Sequence, residues 1–87
     1  MIFCIQENLL IERFDDQMLV FQVDKNLPYV LNGVAAFILR NTDGKKSQED
    51  IAEKICMKFD VGFRQALEGI EFIYEEMRLK DLIVRVG

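Results

Sequence analysis

The residues of this 87-residue chain with the most obvious capacity for chemistry are two groups of carboxylates: Glu49, Asp50 and Glu53, and Glu71, Glu75 and Glu76. Paired carboxylates act as general acid and base where their surroundings push their pKa values apart. Here both groups fall on the charged side of a helical pattern and read as solvated faces of amphipathic helices. There is no histidine, which removes the commonest general base, the commonest metal ligand and every triad built on imidazole. Cys4 and Cys56 lie far apart in no metal-ligand spacing. With no disulfide framework around them, they read as reduced, partly buried thiols. No Gly-rich phosphate loop is present. The pattern implies no catalytic residue, metal or cofactor, and points to a protein that works by binding.

What remains is the chemistry of the main chain. An edge strand carries unpaired N–H and C=O groups, and a peptide added alongside it gains affinity through them, while pockets for alternate side chains give specificity. The segment Leu27 to Leu31 (LPYVL) reads as such an edge, because Pro28 gives no N–H to a ladder and belongs on an edge or at a strand start. Alternation sets Tyr29 and Leu31 on one face, with Leu31 expected in the core, and Val30 on the other. Val30 or Leu27 is then left to meet a peptide.

The elements that position this edge follow from pattern and turn chemistry. Leu9 to Phe14 and Met18 to Val23, joined by a polar Asp15-Asp16-Gln17 connection, read as a β-hairpin. Leu19, Phe21 and Val23 share one face, and Met18, Val20 and Gln22 the other. Asn32 is placed to cap a helix over Gly33 to Asn41, with Ala35, Ile38 and Leu39 inward and Asp43-Gly44 ending it. Ser47, with Asp50 three residues on, begins a second helix to about Lys58 that buries Ile51, Ile55 and Cys56. A third helix runs from about Gly62 to Lys80. Its core stripe is Phe63, Ala66, Leu67, Ile70, Ile73, Tyr74 and Met77, and Phe72 and Leu79 lie nearly opposite. Leu82 to Val86 adds a short strand or packs as coil. The expected fold is α+β, a small winged helix-turn-helix with a three-stranded antiparallel sheet followed by three helices.

Composition agrees with one folded domain over residues 1–87. The chain is 51% hydrophobic and 30% charged with a single proline, too apolar for disorder. Its net charge of −4 argues against nucleic acid as a partner. The apolar start MIFCI has no Lys or Arg before it, unlike a signal peptide, and no run approaches the roughly 20 apolar residues of a membrane span. The reading is a complete, cytoplasmic, single-domain protein.

The string from Leu31 to Gly44 (LNGVAAFILRNTDG), then Ser47 to Phe59 (SQEDIAEKICMKF), then a long helix followed by Leu82-Ile83, resembles the PqqD-like family, the RiPP recognition elements of pathways that make ribosomally synthesised, modified peptides. The resemblance implies a non-catalytic adaptor that binds the leader segment of a precursor peptide and presents it to a modifying enzyme, often a radical S-adenosylmethionine protein. It implies docking by strand addition to the third strand beside the third helix. Leu27, Pro28, Tyr29, Val30, Leu31, Arg64, Gly69, Phe72, Ile73 and Glu76 are the residues this places at the peptide. The sequence departs from the family pattern at Gly69, where an acidic residue is common and where glycine suggests close backbone approach, and at Asp81, where glycine is common and a different helix stop is expected. Phe72 also stands where a polar residue is usual. The protein is expected to be a monomer or weak homodimer. The alternative is a winged-helix DNA-binding regulator, which the acidic third helix disfavours: Glu68, Glu71, Glu75 and Glu76 stand against Arg64, Arg78 and Lys80.

Overall fold

A computed structural model describes residues 1–86. The elements are β1 (Ile2–Ile5), β2 (Leu9–Phe14), β3 (Gln17–Gln22), β4 (Leu27–Asn32), α1 (Gly33–Arg40), β5 (Asp43–Ser47), α2 (Gln48–Lys58), α3 (Phe63–Leu79) and β6 (Ile83–Arg85). β2, β3 and β4 form the expected antiparallel sheet, in that order, and the three helices follow. A second antiparallel sheet, β5-β1-β6, is an addition to the expectation.

The hairpin forms as its sequence dictates. Asp15, at φ 49°, makes a two-residue turn between Phe14 and Gln17, which pair. Met18, Val20 and Gln22 point inward and are fully buried. Asn32 stands at the N-terminus of α1, as expected, but its side chain makes no capping bond. The abrupt change from strand to helix is carried instead by Gly33, at φ 54°, a left-handed conformation that side chains with a Cβ resist. Ala36, Ile38 and Leu39 are the buried residues of α1, whereas Ala35 is only partly covered. At the start of α2 the capping box is complete: Ser47 Oγ accepts from the Asp50 N–H at 3.1 Å, and the Asp50 carboxylate accepts from the Ser47 N–H at 3.0 Å.

The core stripe of α3 holds except at Phe63, which is 44% exposed because it opens the helix and overhangs beside Arg64 and Leu67. The stripe packs with Met18 and Val20 of β3, the inward face of α1, Ile51, Ala52 and Ile55 of α2, and Leu82 and Ile83. Asp81 does not change the way α3 ends. It adopts φ 59°, its N–H bonds the Arg78 carbonyl at 3.1 Å, and the Leu82 N–H bonds the Met77 carbonyl at 2.9 Å. This is the Schellman geometry normally given to glycine, occupied by one of the few other residues that tolerate it.

The second sheet is built around β1, whose residues Phe3, Cys4 and Ile5 pair with Arg85, Val84 and Ile83. On its other side it pairs with β5 through Ile2↔Ser47 and Cys4↔Asp43. β5 is DGKKS, a sequence with little intrinsic strand preference. Asp43 organises it. Its carboxylate accepts from Lys46 Nζ at 2.6 Å and from the Lys45 and Lys46 N–H groups at 3.0 and 3.1 Å. These bonds, the Lys46 side chain first, hold its pKa well below the usual carboxylate range. Cys4 and Cys56 are free and partly buried.

Candidate functional site

β4 is an outer strand of its sheet, paired with β3 on one side. Beside it, on the inner face, lies a groove of about 340 Å³ lined by Tyr29, Leu31, Ala35, Phe72, Ile73, Glu76, Met77, Lys80 and Leu82. β4 supplies one wall. The C-terminal half of α3 supplies the other, because Phe72, Ile73, Glu76 and Lys80 recur at helical spacing. Phe72 is 66% exposed and forms the rim, while Tyr29, Leu31 and Ile73 are half-buried and join the groove to the core.

The groove is apolar except for one charged pair. Lys80 Nζ lies 3.5 Å from Glu76 and 5.3 Å from the centroid of the Tyr29 ring. The partly exposed ammonium therefore sits between a carboxylate and an aromatic face. The wall is fixed from behind by Gln22, fully buried on β3, whose Nε2 donates to the Lys80 carbonyl at 2.7 Å. Lys25 adds an exposed ion pair with Asp81 at 2.8 Å, and this hydrogen bond and the carboxylate's charge raise the Lys25 pKa. The end of α3 is thus tied to the β3–β4 turn, and the spacing between the two groove walls follows.

Of the residues singled out in the sequence, Tyr29, Leu31, Phe72, Ile73 and Glu76 come together in this groove. Leu31 is half-buried at its wall rather than fully in the core. Leu27, Pro28 and Val30 lie on β4 with exposed side chains outside the groove lining, Val30 at 66%. Gly69 stands one turn before Ile73 on α3. A Cβ there would meet nothing within 4 Å, so no close backbone approach requires glycine. Arg64 is in the first turn of α3, beside Phe63, Leu67, Glu68 and Glu71, and does not reach the groove. Ala35, Met77, Lys80 and Leu82 complete the lining without having been singled out for it. Ala35 had a signal, a small residue next to the buried Ala36. Met77 did not, because it also belongs to the core stripe. Leu79, the other apolar residue opposite the stripe, is 73% exposed and lies outside the groove. Among the described residues no group of three His, Cys, Asp or Glu side chains is placed to hold a metal, and no helix is long and apolar enough to cross a membrane.

The family model for coenzyme PQQ synthesis protein D (PqqD) matches residues 17–83, from the start of β3 through the first residue of β6. The chain belongs to the PqqD family. Comparison with curated proteins gives no match. Among solved structures, this PqqD-family chain is similar to TbiB1 in complex with the TbiA(beta) leader peptide, with a TM-score of 0.87 at 17% identity over 97% of this chain and 98% of that one. It is similar to a lasso peptide synthetase B1 complexed with the leader peptide, with a TM-score of 0.85 at 17% identity over 95% and 98%. It also matches the heterocyclase TruD with a TM-score of 0.69 at 21% identity, covering 98% of this chain and 11% of that one. At these identities the likeness is one of fold. The fold of this chain is found in solved structures both as almost an entire chain and as a small part of a much larger one.

Proposed function

We propose that this protein is a non-catalytic adaptor that binds the leader segment of a ribosomally made precursor peptide and presents it to a modifying enzyme. The observation that carries this reading is the apolar groove between the open edge of β4 and α3, in a PqqD-family chain whose fold is shared with two proteins solved with leader peptides. An extended segment laid along β4 gains main-chain hydrogen bonds from the edge. Its alternate side chains enter the groove against Phe72 and Ile73. The groove chemistry selects apolar residues at alternate positions of the leader. Pro28 and Val30 meet the peptide through their outward main-chain groups, and Leu27 through its exposed side chain. Arg64 and Gly69 are contacts only for a peptide that continues along α3 beyond the groove. The modifying enzyme is of the radical S-adenosylmethionine type or another peptide-modifying class, and the site of action is the cytoplasm.

The test is a backbone amide titration of the labelled protein with the leader of the short precursor encoded nearest its gene. Expected are shifts concentrated on Leu27–Asn32 and on α3 from Gly69 to Lys80. Shifts confined to α2, or none with peptide at about 1 mM, a concentration that populates even weak complexes, overturn the reading.

A further inference from the structure

The open edge of β4 has a hydrogen-bonding pattern that can be read residue by residue. In an antiparallel ladder, residues alternate between turning their N–H and C=O toward one neighbour and turning them away. Phe14 and Gln17 flank a two-residue turn and pair with each other, so Gln17 turns its main-chain groups toward β2. By alternation Met18, Val20 and Gln22 face β4, where they pair with Leu31, Tyr29 and Leu27. Pro28, Val30 and Asn32 are therefore the residues whose groups point out from the sheet. Pro28 supports the same parity independently, since a proline keeps the ladder intact only where its nitrogen points outward.

The outward set is Pro28 C=O with no N–H, Val30 N–H and C=O, and Asn32 N–H with a C=O that begins the hydrogen bonds of α1. We infer that this edge is complementary to itself, and that its occupant in the absence of peptide is the β4 edge of a second copy. Place a two-fold axis at Val30. Each Val30 then exchanges N–H and C=O with its counterpart. Each Asn32 N–H meets the free carbonyl of the other copy's Pro28. The missing proline N–H falls opposite the Asn32 carbonyl already used by the helix, so no group in the ladder is left wanting a partner. On the inner face Tyr29 of one copy stands across from Leu31 of the other, an apolar pair. The six residues LPYVLN include no charge, whereas β2, the other outer strand, carries Glu12 and Arg13. A free uncharged edge is the kind that pairs with another strand, and here the pairing closes as a symmetric dimer rather than continuing. This dimer uses the edge on which leader binding was proposed above, so it masks that site and a bound peptide displaces it.

Sedimentation of the protein alone tests this without any peptide, so its failure leaves the proposed function standing. The wild type should pass from one chain toward two between about 10 μM and about 1 mM, the range in which so small an interface dissociates. Val30→Pro, which removes an outward N–H but no bond to β3, should stay monomeric, and Val30→Thr should associate like the wild type. Amide exchange on the wild type supplies a reading that needs no variant: protection of Val30 and Asn32 should rise with concentration while Tyr29 and Leu31 stay constant. A wild type that remains monomeric at about 1 mM, association that survives Val30→Pro, or concentration-dependent protection away from β4 would overturn the inference.

Discussion

Phe72 keeps about two-thirds of its surface in water at the rim of the groove. Burying a phenylalanine is worth about 1.5–3 kcal/mol, and here that gain is available only to a bound partner. Phe72→Ala should change the unfolding free energy by less than about 0.5 kcal/mol, as for an exposed position. It should weaken leader binding at least about tenfold, the equivalent of 1.4 kcal/mol. Calorimetric titration beside urea unfolding separates the two effects, and an unchanged affinity removes Phe72 from the site. Gln22 is the opposite case. It touches no partner, yet its Nε2 bond to the Lys80 carbonyl holds the end of α3 against β3. Gln22→Glu replaces the donor with a buried carboxylate facing a carbonyl, a loss of roughly 3–5 kcal/mol at neutral pH. Because a protonated glutamic acid regains an O–H donor, the deficit relative to wild type should narrow as pH is lowered.

At the scale of elements, α2 is bounded by a complete capping box, and Ser47→Ala should lower stability by about 1 kcal/mol. β5 depends on Asp43, whose pKa lies below its ordinary 3.8 because Lys46 and two backbone N–H groups bond the ionised form. A carboxyl whose folded pKa is depressed stabilises the fold above its unfolded pKa, and that contribution disappears as pH falls through the folded value. The stability advantage of wild type over Asp43→Asn should therefore be present at about pH 6 and shrink steadily below about pH 4. The β2–β3 hairpin, β4 and all three helices are legible in the sequence because periodicity, turn residues and caps agree there. β1 and β5 are not. IFCI is too short and too apolar to show a period, and DGKKS has the composition of a turn; β1 is a strand because β5 and β6 pair with it, and β5 because β1 does. The groove is half legible for a related reason. Phe72 advertises itself by standing opposite the core stripe, whereas Met77 serves both core and groove, and no sequence period separates those roles.

For the molecule as a whole, the net charge of −4 and the apolar groove, with its single Glu76–Lys80 pair, set how binding should respond to salt. Leader affinity should change less than about threefold between 50 and 200 mM salt, against the several orders of magnitude expected when many phosphates are neutralised. A steep salt dependence, or a shift of labelled duplex DNA by the protein at physiological salt, would favour the regulator reading instead.

The pairing of β1 with β6 has a consequence for how this fold can be joined to other proteins. Phe3 lies across from Arg85, and the Val86 N–H bonds the Ile2 carbonyl at 2.9 Å, so the two ends of the chain run side by side. No residue of β1, β5 or β6 lines the groove. A short linker joining the ends, with new termini opened at Asp15-Asp16, should give a circular permutant that folds with the same groove. Equally, a protein fused through either end should leave β4 unobstructed, because β1 and β6 lie away from the groove.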